Sequence, residues 1–229
     1  MTQFRSLLCT GLLLLSTTTF AAPQAHGTLA DIDKVNGGIT AEATQAYGDL
    51  STVNGGIDLQ HNSRAKDVDT VNGGIQAADD VAVDDVSTVN GGIRFGRNAR
   101  IEGDAETVNG GIFIDRGGRV RGGISTVNGG IGIVGTSVEG RIETVNGDIT
   151  VGADSSVKGG IKVEKNQGSA FSLFGNRKIP RIVIGPNAVV EGPLVFEREV
   201  TLYVHASARI GSVSGATVQR YAGNTPPAR

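Results

Sequence analysis

The stretch Thr107-Val108-Asn109-Gly110-Gly111-Ile112, with the same Val-Asn-Gly-Gly-Ile core before it at 89–93 and after it at 127–131, decides how this chain folds. Counting the variant Val145-Asn146-Gly147-Asp148-Ile149, the motif places an asparagine at Asn36, Asn54, Asn72, Asn90, Asn109, Asn128 and Asn146. The successive spacings are 18, 18, 18, 19, 19 and 18 residues. A period this regular marks stacked structural units.

Apolar positions recur in phase with the asparagines. The valine before each asparagine (Val35, Val53, Val71, Val89, Val108, Val127, Val145) and the isoleucine after the glycines (Ile39, Ile57, Ile75, Ile93, Ile112, Ile131, Ile149) are two candidate core columns. Two residues beyond each isoleucine stands Ala41, Leu59, Ala77, Phe95, Ile114, Ile133 or Val151. That i, i+2 spacing puts both side chains on one face of a strand.

Each unit also bends. Asn-Gly-Gly is the first corner, where glycine, and less easily asparagine, supplies the positive φ of a sharp turn. A second corner is read at Val120-Arg121-Gly122-Gly123-Ile124, Val138-Glu139-Gly140-Arg141-Ile142 and Val157-Lys158-Gly159-Gly160-Ile161. A third bend falls near Gly96-Arg97-Asn98, Arg116-Gly117-Gly118 and Gly135-Thr136-Ser137, and is expected to absorb the extra residue of the longer units. Three sides and three corners make one coil, and coils stacked at about 4.8 Å bring the asparagine amides into hydrogen-bonding reach of one another. Asn-Gly is also a hairpin signal, so an antiparallel meander is the competing arrangement. A meander needs only two bends per period.

The expected fold is therefore an all-β, single parallel β-helix (solenoid) of about nine coils with 18–19 residues per coil, roughly 40 Å long at ~4.8 Å per coil. One coil cannot cover its own open faces, so the units must come in series.

The regular repeats occupy 33–163, preceded by a lead-in and cap at 22–32. Residues 1–21 read as a secretory signal peptide, with Arg5 at its positive start, an apolar run from Leu7 to Leu15, and Thr19-Phe20-Ala21 at the cleavage site. Cys9, the single cysteine, lies within it, so no disulfide or cysteine metal site is expected in the mature chain; lipid attachment at Cys9 is the competing use. Residues 164–180 form an inserted loop whose Phe171, Leu173 and Phe174 suit either a partner or membrane contact or a lid over the rod. Degenerate coils resume at 181–220, and 221–229, with Pro226-Pro227, reads as a disordered tail, with packing of Tyr221 on the last coil as the competing arrangement.

Composition narrows the function. The chain has 35 Gly, no Trp and 4% aromatic residues, a balance for tight turns rather than one bulky core. Without Arg5, 20 Lys+Arg face 23 Asp+Glu, a net charge of -3, which is not the basic footprint of a nucleic-acid binder. No apolar run after the leader approaches the roughly 20 residues of a membrane helix.

His26, His61 and His205 share no spacing, so no metal site is expected from them. Asp79, Asp80, Asp84 and Asp85 offer oxygen ligands of the kind calcium takes, yet the glycine-rich calcium nonapeptide is missing. Their simpler use is coil registry: His61, Asp79, Arg97 and Arg116 share one offset, which makes Asp79 and Arg97 candidate neighbours. No catalytic residue, metal or cofactor is expected, and the residues singled out are the asparagine turn column from Asn36 to Asn146.

The Ile-Gly-x-Asn-Ala-x-Val-x-Gly pattern at 184–192, with the 18-residue coil, resembles bactofilins, the polymer-forming β-helical scaffold proteins of bacteria. The recurrent Val-Asn-Gly-Gly-Ile resembles the putative-adhesin β-solenoid domains of bacterial exported proteins. These resemblances imply an exported, non-catalytic rod, periplasmic or at the cell surface, that self-associates end to end or touches a surface. A glycan or cell-wall binding module is the alternative expectation. A polysaccharide lyase or hydrolase is a third, although such enzymes use longer coils and loops that build a cleft.

Overall fold

The structure, a computed structural model, describes residues 29–165, 179–223 and 225–227. Residues 1–21, read as a signal peptide, His26 and the Phe171–Phe174 stretch lie outside the described residues. Every ladder is parallel, which excludes the meander: two sheets of ten strands run the length of the rod and a third of seven extends from Ala82–Val83 to Arg209–Ile210, each strand bonded to its equivalent one coil away. The first sheet carries strands such as Leu50–Asn54, the second Ile57–Leu59, and the third Ala82–Val83.

The isoleucine column is buried throughout from Ile39 to Ile149, and so are the residues two further on from Ala41 to Val151. The valine column is a correction. Val53 to Val127 are 39–41% exposed and Val35 is 66% exposed, because alternation along Leu50-Ser51-Thr52-Val53 points Leu50 and Thr52 inward and Val53 out. Threonine fills the inner place because its hydroxyl has a partner there: Thr52, Thr70, Thr88, Thr107 and Thr126 each donate Oγ1 to the carbonyl of the first glycine of the preceding coil's motif, at 2.8–3.0 Å. A valine in that place would leave the carbonyl short of a donor.

The first corner needs glycine for a reason other than dihedral angle. Of its glycines only Gly37 has positive φ. A Cβ on Gly55, Gly73, Gly91, Gly110 or Gly129 would collide with the carbonyl oxygen of its counterpart one coil earlier. Positive φ sits at the third bend instead, at Asn62, Asp80, Asn98, Gly117 and Gly135. The extra residue also enters elsewhere than expected. Val83 and Val86 are separated by two residues at the second corner, but Ile101 and Ala105, paired to them, by three. Gly103 opens the glycine column that makes this wider corner possible, since a Cβ on Gly122 or Gly140 would strike its predecessor's carbonyl.

The insertion at 164–180 replaces a first corner. Ile161–Val163 continues the first sheet, and Arg181–Ile184 resumes the second in register with Ile149–Val151. At the other end, Tyr221, which the sequence assigns to the tail, closes the last strand, Val218–Tyr221. Its ring meets His205 edge to face at 5.1 Å, and burial pushes its phenol pKa up.

Candidate functional site

The asparagine column is a continuous amide ladder. Each Nδ2 donates to the Oδ1 one coil earlier, from Asn54 to Asn36 through Asn146 to Asn128, at 2.9–3.1 Å. Each rung spends one amide donor and one acceptor on its neighbours in the chain, so the column ties coils together. The apolar line beside it is different in kind: Val35 through Val127 stand one per coil, exposed, over five coil steps or about 24 Å at ~4.8 Å each.

The outer face of the second sheet holds a shallow open groove of about 600 Å³. Gln76, Arg94, Phe113, Gly132 and Thr150 stack outward along it on successive coils, and Asp148 lines its rim. The Arg94 guanidinium lies 4.6 Å from the Phe113 ring centroid. Gly132 supplies room on the other side, since a Cβ there would sit 3.3 Å from Phe113 Cδ2. The groove thus offers an aromatic face, a cation and small residues side by side.

Where the second sheet turns into the third, two adjacent coils carry matched rows. Arg94, Arg97 and Arg100 lie over Phe113, Arg116 and Arg119; the outer pairs are registered across the second and third sheets, and the Asn98 amide bonded to the Arg116 carbonyl aligns the bend. Arg97 and Arg116 line one open concavity at this bend, and Arg100 lines another beside it.

The predicted Asp79–Arg97 neighbours do meet, through the backbone: the Arg97 amide donates to Asp79 Oδ1 at 2.7 Å. Asp80 Oδ1 accepts from Asn98 Nδ2, and its Oδ2 lies 3.6 Å from His61 Nδ1. Asp85 Oδ1 accepts the Asp104 amide at 2.7 Å. Among the described residues, no three of the His, Cys, Asp and Glu side chains are grouped as metal ligands would be. His205 stands apart, with Nδ1 accepting the Ser207 amide at 3.1 Å.

One column went unread in the sequence. Asp31, Asp49, Asp67, Asp85 and Asp104 stack at the second corner, each one residue before a paired first-sheet residue. Several accept the backbone amide of the next coil, as Asp31 does from Asp49 at 3.0 Å and Asp104 from Gly123 at 2.5 Å. In their midst, burial first and then the charges of Asp49 and Asp85 raise the Asp67 pKa. The same period of 18 and 19 that reveals the asparagines reveals these aspartates.

No family model, curated protein or solved structure matches this chain.

Proposed function

We propose that this chain is an exported, non-catalytic β-helical rod that acts by lateral contact with a second copy of itself. The observation that carries this reading is the valine line, an apolar stripe at fixed spacing on the outside of the rod. A stripe repeating at the strand spacing is matched in full only by another stripe of the same repeat. The bactofilin and adhesin resemblances point toward the same kind of role, and the leader read at 1–21 points to the periplasm or cell surface. Sedimentation of the purified chain tests it: association that grows with concentration, and is lost when Val71, Val89 and Val108 are changed together to Thr, supports lateral pairing. A wild-type monomer at every concentration overturns it.

The groove beside Phe113 favours a second reading, contact with a cell-wall or surface glycan. A sugar's apolar face suits the ring, and Gln76, Asp148 and Thr150 provide hydrogen-bonding groups around it. Retention on isolated cell-wall material, lost in Phe113→Ala, is its test.

A further inference from the structure

The matched arginine rows are at odds with how the rest of the third side is built. One column over, charges on successive coils are of opposite sign: Glu102 meets Arg121 at 2.6 Å and Glu139 meets Lys158 at 3.7 Å. At the corner, Arg100 is paired directly with Arg119, and Arg97 shares its offset with Arg116, so like charges face each other. Like charges directly opposite across a sheet are destabilising.

Nearby carboxylates stand beside these guanidiniums without pairing with them. Asp79 and Asp115 keep their charge while accepting the Arg97 and Arg116 backbone amides, Asp80 accepts from Asn98 and faces His61, and Glu102 meets Arg121. Among the described residues, no ion pair within 4.0 Å involves Arg97, Arg100, Arg116 or Arg119. The directly paired arginines are confined to two coils. The rung before them carries Ala82 opposite Arg100, with Arg64 beyond it in the same concavity, and the rung after them Ser137 opposite Arg119 and Gly132 opposite Phe113.

We infer that this corner binds an acidic polysaccharide, with carboxylate or sulfate groups held by Arg97, Arg100, Arg116 and Arg119 and a sugar ring set against Phe113. The inference rests on the glycan reading of the adjoining groove and names the ligand's chemistry. Guanidinium forks match planar or tetrahedral oxyanions and bind them in pairs. The surface is open rather than enclosed, which suits a polymer lying across it better than a small ion, whose site would bury most of it. Two coils of arginine on a chain of net charge -2 are too short a basic track for nucleic acid, which rewards many phosphate contacts.

The test is binding of the purified protein to immobilised alginate and heparin at moderate salt, with dextran and single-stranded DNA as comparison polymers. The expected result is retention on the acidic glycans, release by added salt, and weakening of ten-fold or more in the double variant Arg100→Ser/Arg119→Ser. The melting temperature of that variant should hold or rise, and Arg209→Ser, farther along the third sheet, should bind as wild type does. Equal retention of wild type and double variant, no retention on either acidic glycan, or equally tight DNA binding each overturns the inference. Retention on neutral wall glycan that depends on Phe113 but not on the arginines would sustain the groove reading while sinking this one.

Discussion

Arg198 donates from Nη1 to Asn146 Oδ1 at 2.6 Å and to the Val145 carbonyl at 2.9 Å, closing the asparagine ladder where the repeat ends. Thr144 pairs with Val163, so counting two residues on places Lys165 where an eighth asparagine would stand. Arg198 takes over the donor role from the next coil but one. Arg198→Ala should therefore cost about 1 kcal/mol, the scale of a lost hydrogen bond. Hydrogen exchange should quicken at Val145 and Asn146 while the amides around Asn54 keep their protection, and unchanged exchange at both sites would refute the capping role.

The two glycines of one corner should respond unequally to alanine. A Cβ on Gly91 meets the Gly73 carbonyl, backbone against backbone, whereas on Gly92 it would lie 3.2 Å from the Gly111 oxygen. Gly91→Ala should lose stability at or beyond the upper part of the ~0.5–3 kcal/mol range of single substitutions. Gly92→Ala should change it by less than about 1 kcal/mol. Urea midpoints of the two variants decide the matter, and equal midpoints would contradict the close-approach account.

Threonine should be worth keeping in one coil and not in another. Thr88 Oγ1 donates to the Gly73 carbonyl at 2.9 Å, while Thr144 Oγ1 is buried with no hydrogen-bond partner among the described residues. Thr88→Val is expected to cost about 1 kcal/mol, and Thr144→Val to be neutral or stabilising. Chemical denaturation of both variants in parallel provides the comparison.

Asp67 makes the stability of its coil depend on pH. Its folded-state pKa lies above the unfolded value, chiefly through burial, so the folded chain holds that proton more tightly. The sign follows: above the folded pKa the ionised carboxylate destabilises the coil, and stability from this group rises as pH falls toward the unfolded value near ~3.9. Asp67→Asn keeps an acceptor oxygen and removes the charge. It should stabilise the chain at pH 7 by about 0.2–1 kcal/mol, the scale of a cross-strand charge contact. The gain should vanish in melts below pH ~4, and a variant less stable than wild type at pH 7 would reverse the argument.

Period and burial were legible to different depths in the sequence. The isoleucine column and the asparagine ladder could be read because the motif repeats each of them at a fixed offset. The inward threonine could not be read from hydropathy, which ranks Val53 as core and Thr52 as surface. Strand parity and an orphan glycine carbonyl outweigh that ranking. The widened second corner was hidden because a spacing of 19 says that a residue is added without saying where. At the candidate site, the shared offset of Arg97 and Arg116 was visible, but Arg94 over Phe113 and Arg100 over Arg119 emerge only when the register is followed around the whole coil.

The amides of the asparagine line all point the same way, each toward the coil before it, so the line has a head and a tail. Arg198 plugs the tail well inside the rod, with further coils beyond it. A second molecule abutting the C-terminal end does not reach Asn146, so filament growth cannot borrow this line as its seam. Duplicated repeats, by contrast, can be spliced in anywhere upstream of Asn146 with the plug undisturbed, which makes rod length a property that can drift or be engineered without touching either terminus.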